Sequence, residues 1–101
     1  MFKIDPDPVF TAPIDIPLPG GERKSFTGSF KHKGRAEAQA FLESAQGDDV
    51  EMVAEILLGW DGVDAEFSRE TLARLLDNYV GAGAAILEAW ALGLAGGRAK
   101  N

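Results

Sequence analysis

The chain has 101 residues, a formal net charge of −6 and no cysteine. Its length is that of one ordinary domain, and a hydrophobic content of 46% is enough to build a core. The lack of cysteine excludes a disulfide framework and a thiolate metal site, and the acidic balance argues against nonspecific nucleic-acid binding. No segment reaches the roughly 20 apolar residues that a membrane span requires.

The first third of the chain predicts a β-hairpin. Residues 1–8 are rich in proline and aspartate, so we expect an extended, loosely held segment rather than a signal peptide. Residues 9–18 alternate in character and place Pro13 and Pro17 on the less apolar side, which predicts an edge strand. A turn and a second alternating run complete a hairpin over 9–33, whose apolar face must lie against other elements.

Helical spacing of apolar residues begins after Gly34. It predicts four helices, whose ranges in chain order are 35–46, 49–59, 69–79 and 81–95. The predicted fold class is therefore α+β and mainly helical, with an N-terminal β-hairpin packed on about four α-helices. We expect residues 9–97 to form one domain, followed by a basic C-terminal tail over 98–101.

The ends of these helices carry capping signals. Gly47 is placed to end the first helix, and Asp48 is placed to cap the second, with Glu51 at the position of a capping box. Ser68 is the predicted N-cap of the third helix.

The second and third predicted helices meet at a tight acidic turn. Asp61-Gly62 is a strong turn signal, because glycine tolerates a positive φ. We therefore expect a helix–turn–helix corner with Trp60 and Phe67 wedged into it. The apolar side of the third helix is predicted to comprise Leu72, Leu75, Leu76, Tyr79 and Val80.

The last predicted helix is nearly uncharged. Between Gly81 and Gly97 the only charged residue is Glu88. A helix that is apolar all round needs cover on every side. Two interpretations stay open: a central core helix, or a helix with one side at an interface with another copy or a partner.

The charges are unevenly distributed. The segment 23–35 has five basic residues and no acid, whereas the segment 37–66 has nine acids and no base. These segments either attract each other on a solvated surface, or form a polarised surface that orients a partner or stacks copies of the chain.

The sequence contains no evident catalytic, metal or cofactor site. His32 is the only histidine and lies between two lysines, a pattern typical of a surface residue. The spacing of Asp61, Asp64 and Glu66 is not that of a calcium loop, and the glycine pairs lack the context of a nucleotide fingerprint. We therefore predict a non-enzymatic protein without a cofactor.

Five apolar residues are candidates for partner binding. Tryptophan is enriched in the parts of interfaces that dominate binding energy, and the last helix has apolar surface to spare. The candidates are Trp60, Phe67, Leu87, Trp90 and Leu94.

The runner-up function is a small adaptor or a transcription-regulatory module. A helix–turn–helix corner is the framework of many DNA readers, which need a basic recognition face. The third predicted helix carries Arg69 and Arg74 but also Glu70 and Asp77, which disfavours that role.

Several short motifs follow one another in a distinctive order. They are Ile16-Pro17-Leu18-Pro19-Gly20-Gly21, a Phe-x-Gly-x-Phe-Lys strand over 26–31, Leu57-Leu58-Gly59-Trp60-Asp61-Gly62-Val63, Phe67-Ser68-Arg69-Glu70-Thr71-Leu72 and Leu87-Glu88-Ala89-Trp90. The Gly-Trp-x-Gly-Val turn followed by Phe-Ser-x-Glu-x-Leu is the most specific part. Over most of residues 9–101 this order resembles the tail assembly chaperones of long-tailed phages and prophages, in which a longer loop separates Val63 from the Phe-Ser pair.

The resemblance implies a non-enzymatic chaperone that binds the long helical tape measure protein and keeps it soluble until the tail tube forms around it. It also implies self-association, with the tail tube protein as a further candidate partner. The acidic charge and the short last helix with Glu88 in its middle separately predict no binding to nucleic acid or membrane. Such a protein would act in the cytoplasm of the host bacterium and be absent from the finished virion. Spare apolar helix surface suits this role, because an apolar helix cannot be left exposed in water.

Overall fold

The computed structural model describes residues 1–45 and 49–97. The elements of this part of the chain are β1 (Val9–Pro17), β2 (Arg23–Lys31), α1 (Arg35–Ser44), α2 (Val50–Ile56), β3 (Leu57–Asp61), α3 (Arg69–Asn78) and α4 (Ala82–Leu94). The strands form an antiparallel sheet in the order β1-β2-β3, and the helices lie on one of its faces. The predicted α+β class, with its hairpin packed on helices, is confirmed. The predicted stop at Gly47 and the basic tail over 98–101 lie outside the described residues.

The hairpin has the predicted apolar face. Strands β1 and β2 pair from Val9 opposite Lys31 to Pro17 opposite Arg23, and β1 lies at the sheet edge, as its prolines predict. The alternate residues Ala12, Ile14 and Ile16 are buried, because every second side chain of a strand points to the same face.

Helix α4 covers the hairpin and is the centre of the core. It packs against β1 and buries Ile86 and Trp90 completely. The approach is so close at Gly93 that an added Cβ atom would lie 2.7 Å from Cε2 of Phe10. The helix ends at Leu94, and beyond it the amides of Gly96 and Gly97 donate to the carbonyls of Gly93 and Leu92.

The predicted helix over 49–59 is wrong beyond Ile56, because Leu57–Asp61 is the third strand. Its pairing with β2 contains an irregularity: Leu57 lies opposite Phe30 and Gly59 opposite Ser29, so Leu58 is an extra residue, as in a β-bulge. Leu57 and Trp60 are three residues apart, yet both contribute to the core side of the sheet. An amphipathic helix also places residues three apart on the same side, so the pattern resembles that of a helix.

The predicted helix–turn–helix corner is therefore also wrong, since β3 separates α2 from α3. The Asp61-Gly62 turn itself is present, with Gly62 at φ 91°, but it follows a strand rather than a helix. It leads to the predicted N-cap, where Ser68 and Thr71 form a reciprocal capping box.

Two further details of the helices differ from the prediction. The N-cap of α2 is Asp49, whose side chain accepts from the amides of Glu51 and Met52; Asp48 lies outside the described residues. Helix α3 ends at Asn78 because Tyr79 adopts an extended conformation. Val80 therefore lies beyond the helix and is 99% exposed, instead of joining its apolar side.

Candidate partner-binding surface

A groove lies between α1 and the C-terminal end of α4. Its volume is 650 Å³, and its apolar walls comprise Ala38 and Leu42 from α1 and Ala91 and Leu94 from α4. The polar side chains that line it are His32, Lys33, Arg35, Gln39 and Glu43. Below, this feature is called the α1–α4 groove.

The groove exists because α1 rests on the core at few points. None of the ten residues of α1, all of them described, is buried. The ring of Phe41 lies edge-on against the indole of Trp90, with 5.2 Å between the ring centroids. Lys33 places its Nζ 5.7 Å from the centroid of the same Phe41 ring. The next residue, Leu42, is 41% exposed and faces the groove.

Ion pairs join α2 to the end of β2 and to the loop that precedes α1. Glu55 accepts a hydrogen bond of 2.9 Å from Lys33 Nζ and a longer one of 3.4 Å from Lys31 Nζ. These hydrogen bonds, Lys33 first, hold the pKa of Glu55 below its ordinary value. The attraction predicted between the basic and the acidic segments of the chain is thus observed at this position.

The acidic turn forms a separate surface. The rings of Trp60 and Phe67 meet edge to face at 4.9 Å, and Trp60 Nε1 donates to the carbonyl oxygen of Ala65 at 2.8 Å. The turn from Trp60 to Phe67 lines a cavity of 500 Å³ whose lining includes Asp61, Asp64 and Glu66. None of these residues lines the α1–α4 groove.

Comparison with protein families matches the whole chain, residues 1–101, to the family described as phage tail assembly chaperone. The chain belongs to the phage tail assembly chaperone family. The resemblance inferred from the motifs is confirmed, and with it the general role in phage tail assembly, in which the partners are phage tail proteins. Comparison with curated proteins and with solved structures gives no match.

In this tail assembly chaperone the five predicted partner-binding residues lie in different places. Leu94 lines the α1–α4 groove, and Trp90 lies beneath α1 with 0% exposure, donating from Nε1 to the carbonyl oxygen of Lys31 at 2.8 Å. Trp60 and Phe67 are together at the acidic turn. Leu87 is half-buried against the core and does not line the groove. The structure therefore brings Trp60 and Phe67 into direct contact and places Trp90 and Leu94 in the C-terminal half of α4.

Sequence reasoning did not assign a partner-binding role to α1. The signal was present, because helical spacing puts Ala38, Phe41 and Leu42 on one side of this helix. Spacing tells which side of a helix is apolar, but it does not tell how much of that side its neighbours cover. Phe41 meets the core, whereas Leu42 stays accessible.

The described residues give no support for a metal site or a membrane-spanning helix. Among the described residues no group of His, Asp and Glu side chains could hold a metal ion. No described helix has the length and apolar character needed to cross a membrane. Chaperones of this family are generally non-enzymatic; that this chain catalyses no reaction stays a prediction.

Proposed function

We propose that this tail assembly chaperone keeps the tape measure protein soluble during tail morphogenesis by covering one of its helical segments in the α1–α4 groove. The observation that carries the proposal is the pair of facing apolar walls, with Leu42 41% exposed on one side and Leu94 half-buried on the other. Grooves between helices commonly bind the apolar side of a third helix.

The physical need for such cover is general. A long apolar helix in water aggregates, because burial against another apolar surface is favourable for each side chain that it removes from water. A small subunit can cover a long client only in several copies, each contributing a modest contact. In this proposal the chaperone acts in the host cytoplasm, leaves before the virion is complete, and meets the tail tube protein as a second partner.

The acidic turn is a second proposed contact. Trp60 and Phe67 are half-buried aromatic side chains at the mouth of a cavity, and aromatic residues dominate many interfaces. Neither residue lines the groove, so this contact is separate from it. Phe67→Asp would test this contact separately from the groove.

Co-expression with the tape measure protein tests the groove. The wild-type chaperone is expected to move the tape measure protein into the soluble fraction and to co-purify with it. Leu42→Asp places a charge in the groove at an accessible position, so the fold should be kept while solubilisation is lost. Val80→Asp is the matched control, because Val80 is 99% exposed and does not line the groove.

Circular dichroism and thermal melting establish that both variants fold. Full solubilisation by Leu42→Asp would refute the groove as the client site. A wild-type chaperone that neither solubilises nor co-purifies with the tape measure protein would refute the proposed function.

A further inference from the structure

The polar side chains with which helix α1 lines the α1–α4 groove are ordered along its length. Arg35 is the first residue of the helix and Glu43 is the last but one, and both are exposed and line the groove. Gln39 lies halfway between them, lines the groove as well, and is uncharged. Eight residues of helix span about 12 Å. The groove therefore has a cation at one end, an anion at the other, and apolar walls between them.

The remaining permanent charge in the groove is already neutralised. Lys33 lines the same end as Arg35, but its Nζ lies 2.9 Å from Oε2 of Glu55 and its side chain is only 11% exposed. Neither Arg35 nor Glu43 has an ion pair with another described residue. Glu43 accepts only a long hydrogen bond of 3.4 Å from Nε2 of Gln39 within the described part of the chain. A ligand in the groove thus meets the charges of Arg35 and Glu43.

These two charges do not serve helix α1 itself. The N-terminus of a helix carries a partial positive charge and the C-terminus a partial negative one, so an acid is favourable in the first turn and a base in the last. Glu37 in the first turn follows this rule and does not line the groove. Arg35 and Glu43 oppose the rule, and both line the groove. A ligand that meets both charges accounts for an arrangement that the helix alone disfavours.

We propose that the α1–α4 groove binds an apolar helical segment that carries an acidic and a basic residue two turns apart, with the acid against Arg35 and the base against Glu43. Seven residues span roughly 10 Å and return to nearly the same side of a helix, which matches the separation of the two charges in the groove. Opposite charges that flank an apolar contact fix the orientation in which two surfaces meet. The groove therefore selects both the segment and the direction in which it lies.

This inference deepens the proposed function and rests on it, because the segment belongs to the helical client that the groove covers. A long helical client offers an apolar side at many places, and the two charges distinguish among them. The charges of the groove are exposed, so each ion pair contributes little affinity and acts mainly on the choice and direction of the segment.

Peptide binding to the full chain tests the charge requirement. The probe is a helical peptide of about 18 residues, built of leucine, alanine and glutamine, with one glutamate and one lysine seven positions apart. It should bind about three- to tenfold more tightly than the same peptide with glutamine at both charged positions. The difference should shrink at high salt, which screens exposed charges. Equal affinities would overturn the inference, and so would a lack of binding because a second copy of the chain fills the groove.

Charge reversal in the chaperone shows whether the position of each charge matters. Arg35→Glu should weaken binding of the charged peptide about three- to tenfold, and so should Glu43→Lys. Lys24→Glu and Glu37→Lys are the matched controls, because both residues are exposed and neither lines the groove. Equal losses from the controls and the groove variants would assign the effect to net charge and would overturn the inference.

The double variant Arg35→Glu with Glu43→Arg separates recognition from a structural role. Its charges agree with the dipole of α1, so thermal melting should show no loss of stability. It should bind the charged peptide as tightly as the wild-type arrangement does, but in the opposite direction.

A nitroxide attached to Ala36→Cys reports that direction. Ala36 is exposed and does not line the groove, and the chain has no natural cysteine. The nitroxide lies beside position 35, so it should broaden the NMR signals at the glutamate end of the peptide in the wild-type arrangement and at the lysine end in the double variant. Broadening of the same end in both would overturn the inference.

The outcomes distinguish this inference from the proposed function. Peptides that bind irrespective of their charges, but no longer bind to Leu42→Asp, would overturn the charge requirement and leave the groove as the client site. Failure of the wild-type chaperone to solubilise the tape measure protein would instead refute the proposed function, whatever the affinities of the peptides.

Discussion

The two helices that line the α1–α4 groove differ in how they join the protein. Helix α4 places Ile86 and Trp90 at 0% exposure and approaches β1 so closely that Gly93 has no room for a side chain. Helix α1 has no buried residue and meets the core chiefly through the edge of Phe41. Both helices show apolar residues at helical spacing, but only α4 has residues that the rest of the chain buries.

The difference indicates that the fold depends mainly on α4, whereas the groove needs both helices and α1 contributes little to the fold. Removing the contacts of α4 should damage the whole domain, because its buried side chains also hold the sheet. Removing the contacts of α1 should damage the groove and leave the domain folded. The predictions below test this division, from the largest expected effect to the smallest.

Trp90→Ala should cost the most. It removes a fully buried indole, its hydrogen bond to the Lys31 carbonyl and the support of Phe41, and should lower the free energy of unfolding by about 3–5 kcal/mol. Phe41→Ala should cost only about 1–2 kcal/mol, because its ring is half-buried. Urea denaturation followed by circular dichroism measures both. Equal losses from the two variants would contradict the division between α4 and α1.

Gly93→Val should have an intermediate effect. The new side chain meets Phe10 and Ala12 on β1, so overpacking should lower the free energy of unfolding by about 1–3 kcal/mol. Ala91→Val introduces the same residue into the same helix, but on the side that lines the groove, and should cost less than about 1 kcal/mol. Thermal melting compares the two variants. A larger loss from Ala91→Val would mean that the groove side of α4 is the tightly packed side.

Glu55→Gln should have the smallest effect, and the effect should depend on pH. The pKa of Glu55 is lowered in the folded chain, so its pairing with Lys33 and Lys31 stabilises the fold fully above the ordinary value of 4.5. That stabilisation is lost as the pH falls through the lower folded pKa. Because the pair is partly exposed, the difference from wild type at pH 7 should be at most about 1 kcal/mol.

The measurement is urea denaturation of wild type and variant from pH 7 down to about pH 3, where the difference should shrink. Glu88→Gln is the control, because Glu88 lies exposed on α4 and forms no ion pair within the described residues. A Glu55→Gln difference that stays constant over this range would mean that the carboxylate charge is not the cause.

Local patterns predicted most of the elements but not the third strand. The hairpin could be predicted because Ile14 and Ile16 alternate with prolines and an aspartate, and the prolines restrict β1 to an edge. Strand β3 was missed because its extra residue, Leu58, separates Leu57 and Trp60 by the three residues that an amphipathic helix would also show. Only the pairing with β2 decides between the two, and pairing is a long-range property.

The sequence predicted some of the apolar residues of the candidate site, but it did not predict that two helices would form a groove. The sequence indicated apolar surface to spare on the last helix, and Leu94 does line the groove. It did not indicate that Leu42 on α1 would form the opposite wall, because the gap between two helices depends on the side chains beneath them. Here that side chain is Trp90, which supports Phe41 from below.

The covering of β1 by α4 also sets the order of events during synthesis. The hairpin leaves the ribosome first, and a lone hairpin is marginal in water. Trp90, which donates to the Lys31 carbonyl, follows that residue by 59 positions, a delay of roughly 3–12 s at about 5–20 residues per second. Until α4 has been synthesised, the apolar face of the hairpin therefore lacks the helix that covers it in the folded domain.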